Sequence, residues 1–391
     1  VGFGEIVSTM VWPRLLAAAG LALRPARLGL ALVMLVLLGL IAQLPRLWLA
    51  KGDAGPASLG REGLEESLAV IAAGVVHLDH VELGAGLARL FVATPVQVGQ
   101  AYPWSTLAIA APMLVVWAVL GGAISRMTAT EFSLQNKMGW TQGLAFAISK
   151  AGSLAAAKIG VLVVVAFIGL VLAAGGWLLL NFAFLQLVGG ALFVVALLAS
   201  GAAVLMVVSY LLAMPMLVPA VACEGTDAID AVQRAHAYVF ARPLRVGLYV
   251  LVLVVELVVV TLLLAAIAHA TVAFATWCTT AWLSPEMQSL LREQAATGTA
   301  AVGETVSWSA RSTGSMVGFW AQIPGLLVAA FVTSFWFSGG TVLYLLVRQV
   351  CDGQDVGELW MPGMVGGTHA GAGAATPLHV DTGEGPVDED D

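Results

Sequence analysis

Long stretches without charged residues dominate this chain. Asp, Glu, Lys and Arg are absent from 90–125, 159–223 and 312–347, and Glu256 is the only one of them at 246–285. As one straight helix, the 65 residues of 159–223 would be roughly 97 Å long at ~1.5 Å per residue. The hydrocarbon core of a bilayer is only about 30 Å thick. We therefore expect this stretch to cross the membrane, turn near 181–190 and cross back.

Six membrane-spanning helices follow from this pattern, with predicted limits of about 26–46, 103–125, 157–178, 189–213, 245–270 and 319–347. The composition agrees, because 60% of the residues are hydrophobic and only 10% are charged, against about 25% charged residues in a soluble domain. The predicted fold class is an all-α polytopic integral membrane protein, with a membrane domain over 26–348.

Two longer connections on one side of the membrane, about 51–100 and about 276–316, are predicted to contain helices. The first has leucines at helical spacing over 57–75. In the second, Ser284 followed by Pro285 predicts a helix start, with serine as the cap and proline in the first turn. We expect the two segments to pack together as a small helical cap.

Lys and Arg are distributed unequally between the two sides of this arrangement. Six spans place both termini on one side, which holds eleven of the 17 Lys and Arg residues, whereas the other side holds six. Positively charged loops remain in the cytoplasm, so both termini are predicted to be cytoplasmic, in the inner membrane of a bacterium. The C-terminal tail, 349–391, carries nine acidic residues and no Lys or Arg, and its later part is rich in Gly and Ala, which predicts disorder.

A heptad recurs at the start of two spans. Residues 24–30 read RPARLGL and residues 242–248 read RPLRVGL, while a weaker copy at 155–161, AAAKIGV, keeps a base and the glycine. Proline suits the first turn of a helix, and arginine side chains reach lipid headgroups. We therefore expect the bases of the three copies to lie at the membrane surface: Arg24, Arg27, Lys158, Arg242 and Arg245.

A short amphipathic segment precedes each heptad copy. Segment 226–240 is predicted to be an interfacial helix that Thr226 caps, with Asp227 near its positive end and Arg234 on its polar face. Residues 139–150 and the N-terminal segment, 1–25, have the same character. We interpret the chain as three units, each with an elbow helix, an outgoing span and a returning span. The alternative is that shared interface physics alone produces the similarity.

Between the fourth and fifth spans, residues 214–245 read MPMLVPAVACEGTDAIDAVQRAHAYVFARPLR. This segment resembles a pattern in bacterial six-span proteins related to the membrane domain of glycerophosphoryl diester phosphodiesterases. The matching residues are Pro215, Pro219, Glu224, Gly225, Ala231 and Arg234, and the departure is Ala235, where the pattern has serine. The resemblance implies the fold but no activity, because in the fused enzymes catalysis resides in a separate soluble domain.

Glu256 is the leading candidate for chemistry within the membrane. It lies about eleven residues inside the fifth predicted span, where an acid is costly unless it is protonated or paired. We expect a hydrogen bond to Ser209, Tyr210 or Ser334 of a neighbouring span. The role of Glu256 is then either proton or cation coupling, or a contact between helices or with a lipid or partner subunit.

Two groups of residues resemble metal ligands: His77 with Asp79 and His80, and Glu224, Asp227 and Asp230 with His236. Caps and solvated helix faces explain both groups better than a metal site does. The three cysteines are far apart, and the chain has no nucleotide-binding, phosphate-binding or hydrolase motif. We expect no metal, no cofactor and no nucleic-acid partner.

These features predict a non-enzymatic membrane scaffold or accessory subunit that binds lipids, other membrane proteins or a second copy of itself. The alternative is a transporter of a small or lipid-like solute in which Glu256 couples to protons. Transporters usually have broken helices and more polar residues within the membrane than this chain has.

Overall fold

The computed structural model describes residues 12–49, 55–297, 307–361 and 363–364, and these residues form helices and no strand. The α-helices, in chain order, are α1 (Ala17–Ala22), α2 (Pro25–Gln43), α3 (Gly55–His77), α4 (His80–Ala88), α5 (Thr94–Ala101), α6 (Pro103–Leu134), α7 (Trp140–Ser149), α8 (Ala151–Leu180), α9 (Gln186–Glu224), α10 (Ala228–Ala241), α11 (Pro243–Thr280), α12 (Pro285–Thr297) and α13 (Trp308–Asp352).

Six of these helices are long and apolar enough to cross a membrane: α2, α6, α8, α9, α11 and α13. This confirms the predicted all-α polytopic fold. Several spans continue far beyond their predicted limits, since α6 ends at Leu134, α9 ends at Glu224 and α13 begins at Trp308. At ~1.5 Å per residue, the 45 residues of α13 are roughly 67 Å long, more than twice the hydrocarbon thickness.

The first and third returning spans were predicted to end directly before a charged residue, but the helices do not end there. The three charge-free stretches stop at Arg126, Glu224 and Arg348, and each of these residues is at most 1% exposed. Hydropathy alone predicts an end wherever a charge begins. The helix can continue because these charges contact other parts of the protein rather than lipid.

The three predicted elbow regions contain α1, α7 and α10. The third elbow begins one residue later than expected, since Asp227 is its cap and accepts a hydrogen bond from the Asp230 N–H at 2.9 Å. The prediction that Thr226 caps it is wrong, because Thr226 is 3% exposed and its hydroxyl has no hydrogen-bond partner among the described residues. The predicted apolar stripe at the start of the chain, from Phe3 to Val11, lies outside the described residues.

Contacts between the helices follow the order of the three units and close into a ring. The returning helices α6, α9 and α13 pack against one another, and each outgoing helix packs on its own returning helix and on that of the preceding unit. Elbow α7 packs on α6 and elbow α10 on α9, while elbow α1 packs on α13, the last helix of the chain. The first unit therefore packs on the third unit in the way that the second packs on the first and the third on the second.

Close approach of the returning helices depends on glycine at two places. A Cβ on Gly340 of α13 would lie 2.1 Å from the Pro215 carbonyl oxygen of α9, and a Cβ on Gly121 of α6 would lie 2.2 Å from the Phe337 ring of α13. The heptad glycines differ, because a Cβ on Gly29 or Gly247 would meet nothing within 4 Å. The heptad glycines therefore do not serve helix packing.

The two outer segments, which we expected to pack together as a cap, pack on different spans instead. Helices α3, α4 and α5 pack mainly on one another and on the start of α6, whereas α12 packs on α11 and α13. The two ends of the predicted connection at 276–316 belong to the spanning helices, since α11 continues to Thr280 and α13 begins at Trp308. Helix α12 begins at Pro285 as predicted. Residues 365–391 of the predicted tail lie outside the described residues.

Candidate functional site

Glu224, the last residue of α9, is the centre of a buried group of polar side chains. One carboxylate oxygen, Oε1, accepts a hydrogen bond from Nη1 of Arg348 and another from the Tyr344 hydroxyl, each at 2.8 Å. The other oxygen lies 3.5 Å from Nη1 of Arg234 on elbow α10. Glu224, Tyr344 and Arg348 are all 0% exposed. We call these four residues, together with segment 353–360, the Glu224 junction.

Gly225 ends α9 in a conformation that favours glycine. Its φ is +60°, in the left-handed region where a Cβ is strained. A Cβ there would also lie 2.3 Å from the Trp360 ring, and the Gly225 carbonyl accepts a hydrogen bond from Lys150 Nζ at 2.7 Å. The Glu-Gly pair noted in the sequence thus has two structural tasks, an ion pair and a turn against an indole ring.

Segment 353–360 returns from the end of α13 to cover the end of α9. Nη2 of Arg348 donates to the carbonyl oxygens of Asp355 and Glu358, at 3.0 and 2.6 Å. The backbone N–H of Trp360 donates to the Cys223 carbonyl at 3.0 Å. Arg348 therefore connects α9 to the chain that follows α13, and most of its hydrogen bonds go to backbone carbonyls rather than to side chains.

Arg126 holds the same segment from the side of α6. It is 1% exposed, and it donates to the carbonyl oxygens of Ala222 at 2.9 Å and Trp360 at 2.7 Å. Its guanidinium lies 5.0 Å from the centroid of the Phe146 ring and 5.8 Å from that of the Trp360 ring. Carbonyl oxygens and aromatic faces thus surround this buried cation.

Tyr238 connects elbow α10 to the end of α13 by a short hydrogen bond from its hydroxyl to the Asp352 carboxylate. Burial, and next the bond to Asp352, raise the pKa of Tyr238 above its ordinary value. The hydroxyl therefore keeps its proton and remains a donor at neutral pH. Its ring lies 5.9 Å from that of Tyr344, which extends the junction to α10.

Sequence reasoning found Glu224, Gly225 and Arg234 but missed most of their partners: Arg126, Lys150, Tyr344, Arg348 and Trp360. A signal was available for two of them. Arg126, Glu224 and Arg348 are the first charged residues after the three long charge-free stretches, so they occupy corresponding places on the three returning helices. The sequence does not show that these places meet, because 98 residues separate Arg126 from Glu224 and 124 separate Glu224 from Arg348.

The bases that were predicted to contact headgroups have different environments. Arg27 is 2% exposed; it forms a short ion pair with Glu131 and donates to the Leu21 carbonyl at 2.5 Å and the Met127 carbonyl at 3.2 Å. The headgroup prediction is therefore wrong for Arg27, because an acid on α6 lies beside it. Arg24 is half exposed and bridges to the same acid at 2.9 Å.

The remaining three bases also differ. The ammonium of Lys158 lies 4.5 Å from the centroid of the Trp117 ring, so this partly buried side chain contacts α6 within the protein. Arg242 is exposed and Arg245 is partly exposed, at the start of α11. For these two residues, the position at the membrane surface stays a prediction.

Glu256 forms no hydrogen bond with Ser209, Tyr210 or Ser334, the partners that we expected. Its Oε1 accepts a hydrogen bond from the backbone N–H of Ala19 at 3.0 Å, in the first turn of elbow α1. Ser209 and Tyr210 instead donate to the carbonyls of Met206 and Lys158. The predicted side-chain partners are therefore wrong, and Glu256 acts as a remote cap for α1, whose own N-cap residue, Leu16, has no capping side chain.

The candidate metal groups have other uses. Asp79 caps α4 by accepting from the Val81 N–H at 2.8 Å, and Glu224 belongs to the junction. In the described part of the chain, no group of three or more His, Cys, Asp or Glu residues is placed to hold a metal ion.

No protein-family model, no curated protein and no solved structure matches this chain. The resemblance of 214–245 to the glycerophosphoryl diester phosphodiesterase membrane domain thus stays a prediction. Several residues that carry this resemblance do have structural tasks at the junction, since Glu224 and Arg234 form its ion pairs and Gly225 its turn. The arrangement can connect helices through charge, but the described contacts contain no nucleophile activated by a base.

Proposed function

We propose that this protein is a non-enzymatic membrane scaffold or accessory subunit that binds other membrane proteins and lipids. The observation that supports this proposal best is the use of the buried charges. Arg126, Glu224 and Arg348 each connect a returning helix to another part of the chain. Buried ionic groups of this kind fix one arrangement of helices, which suits a protein whose task is to hold a shape.

The outer parts of α8 and α9 supply a surface for such partners. In α9, Leu192, Phe193, Leu197, Leu198 and Leu205 are between 46 and 71% exposed. Apart from their contacts with each other, α8 and α9 pack on the rest of the protein mainly through their other ends, near Leu154, Ala157 and residues 209–224. Lipid tails or the apolar helix of another protein would cover the outer parts.

Purification from the native membrane in mild detergent tests the scaffold proposal. We expect other membrane proteins to co-purify in fixed ratio. A photo-crosslinking amino acid at Leu197, which is 59% exposed, should capture the same proteins, whereas the matched replacement at Leu217, which is 0% exposed, should not. A protein that migrates alone and captures nothing from Leu197 would contradict the proposal.

Proton-coupled transport is the second candidate, and one observation favours it. The Oε2 atom of Glu256 is buried and has no hydrogen-bond partner among the described residues, so one carboxylate oxygen is available for a proton. In vesicles that contain the purified protein, an imposed pH gradient should then drive a proton flux that Glu256→Gln abolishes. A pH-sensitive dye would report the flux, and a rate equal to that of protein-free vesicles would contradict the transporter hypothesis.

We place both termini on the cytoplasmic side of a bacterial inner membrane. The support is the excess of Lys and Arg on that side, eleven residues against six. Part of this excess is buried, as Arg27 and Arg126 show. Arg242 and Arg245 are exposed or partly exposed at the start of α11, so their charges can orient the protein in the membrane.

A further inference from the structure

A cavity of about 620 Å³ lies between α11 and α13, beneath α12. Its wall consists mainly of small apolar residues, among them Ala268, Ala273, Ala295, Ala321 and Gly325. Sites for small molecules usually measure about 300–1,000 Å³ and combine an apolar wall with a few polar groups. This cavity has the size and the wall of such a site.

The polar groups of the cavity favour an anion. His269 of α11, Arg292 of α12 and Gln322 of α13 line it, and among the described residues no Asp or Glu does. Thr276 also lines it, but its hydroxyl already donates to the Val272 and Ala273 carbonyls. Arg292 forms no ion pair within the described part of the chain. From the described residues, a ligand here meets a guanidinium, an imidazole and an amide.

The surrounding aromatic residues indicate the depth of the cavity in the membrane. Phe274 and Trp277 on α11, and Phe319 and Trp320 on α13, are 63 to 67% exposed. Of these, the two tryptophans indicate the depth, because Trp and Tyr side chains of membrane helices are enriched at the water interface. The cavity begins beside these rings and continues along α11 to Ala265. Eleven residues separate Thr276 from Ala265, which is roughly 17 Å at ~1.5 Å per residue, about one leaflet of the hydrocarbon core.

We propose that this cavity binds one anionic phospholipid from the leaflet opposite the chain termini. The phosphate lies at Arg292, with His269 and Gln322 as further hydrogen-bonding groups, and an acyl chain follows the apolar wall inward. Arginine suits this role because its planar fork binds phosphate oxygens in pairs. The proposal deepens the scaffold proposal by naming a lipid class, and it rests on that proposal for the lipid-binding role.

Two variants of the full-length protein test the site. Gly325→Leu adds a side chain at the cavity wall, and the Cβ of that side chain would have nothing within 4 Å. Its matched control is Gly201→Leu, at an equally open glycine of α9 outside the cavity. Arg292→Gln removes the cation, and Arg61→Gln, at an arginine whose side chain is 72% exposed on α3, is its control.

Native mass spectrometry of delipidated protein would measure the binding of phosphatidylglycerol, of diacylglycerol with the same chains, and of palmitate. We expect phosphatidylglycerol to bind most tightly, and both Gly325→Leu and Arg292→Gln to weaken it about tenfold or more. Both controls should bind as the unchanged protein does. Thermal unfolding of each variant in detergent would show that it is folded.

Equal affinity for phosphatidylglycerol in all variants would overturn the site. Palmitate that binds as tightly as phosphatidylglycerol would overturn the phospholipid assignment, and diacylglycerol that does so would overturn the role of the phosphate. The scaffold proposal has a separate readout. If membrane proteins still co-purify with Gly325→Leu, the scaffold proposal stands even when the lipid site fails. If the protein binds phosphatidylglycerol but no partner proteins co-purify, only the scaffold proposal is contradicted.

Discussion

At the scale of single residues, Glu224 has a position that its neighbours in sequence do not explain. It is an acid at the end of a 39-residue apolar helix, and its two oxygens contact groups from α10 and α13. A buried ion is tolerated only where partners replace water. Glu224 meets this condition because Arg348 and Tyr344 are themselves buried and oriented by neighbouring groups.

Glu224→Gln should destabilise the protein by about 3–5 kcal/mol, because it leaves the Arg348 charge buried without a carboxylate. Glu65→Gln is the control. Glu65 and its partner Arg61 form an exposed pair at 3.8 Å, and such pairs contribute about 0–1 kcal/mol. The free energy of unfolding in detergent would measure both changes. Similar small losses for the two variants would show that the junction does not depend on this ion pair.

Glu256 has a local task that can be tested independently of transport. Glu256→Gln keeps an oxygen that can accept from the Ala19 N–H, whereas Glu256→Leu removes it. Loss of a helix cap costs about 1 kcal/mol, which corresponds to exchange of the α1 amides that is about fivefold faster. Hydrogen–deuterium exchange of a peptide over 15–24 would measure this. Equal protection in Gln and Leu variants would refute the capping role.

At the scale of helices, the short elbow α1 depends for its stability on residues that are distant along the chain. It has six residues, too few for a stable isolated helix. Glu256 of α11 accepts from its first turn, and the Ser334 hydroxyl of α13 donates to the Ala22 carbonyl at its end, at 2.8 Å. Both termini of the first elbow are thus hydrogen-bonded by the third unit.

The packing of α9 on α13 should be sensitive to one methyl group. Gly340→Ala places a Cβ 2.1 Å from a backbone oxygen, Pro215 O, which cannot rotate away. We expect a loss of about 1–3 kcal/mol, as for other overpacked interiors. Gly247→Ala is the control, since the added Cβ meets nothing within 4 Å and alanine favours a helix by up to about 1 kcal/mol. Thermal unfolding would rank the two, and a stable Gly340→Ala protein would contradict the close approach.

The sequence predicts the elements of this fold better than their partners. The six spans follow from apolar length, and the elbows at 139–150 and 226–240 follow from amphipathic spacing and a proline after the last. Arg27 shows the limit. An arginine beside a span normally reaches headgroups, but Glu131 lies beside it in the fold, 104 residues away along the chain. Pairings of this kind depend on how helices are arranged, which periodicity does not contain.

At the scale of the whole molecule, segment 353–360 completes the junction by covering the ends of the returning helices. A chain that ends at Asp352 would leave Arg348 without the carbonyls of Asp355 and Glu358, and Arg126 without that of Trp360. It would also remove the Trp360 indole beside Arg126. We expect a loss of about 3 kcal/mol or more. A chain that ends at Met364 keeps these contacts and should unfold at the temperature of the full chain. Equal unfolding temperatures for both truncations would contradict the role of the segment.

The orientation of the molecule can be tested with its own cysteines. Cys278, near the outer end of α11, is exposed, Cys351 at the end of α13 is partly exposed, and Cys223 is buried. A membrane-impermeant maleimide added to spheroplasts should label Cys278. It should label Cys351 only after the membrane is permeabilised. Cys278→Ser is the control. Labelling of Cys351 from outside would reverse the proposed topology.

The contact of the first elbow with the last spanning helix also sets an order of assembly. Ribosomes deliver the chain from its N-terminus, so α1 and α2 enter the membrane while α13, 312 residues further along at Ser334, has not been made. Before α13 is made, Arg27 can pair with Glu131 and, once α11 is present, Glu256 can bond to α1, but Ser334 is still missing. The ring closes only after α13 has been made, and a chain that stops before α13 keeps an uncovered elbow at its start.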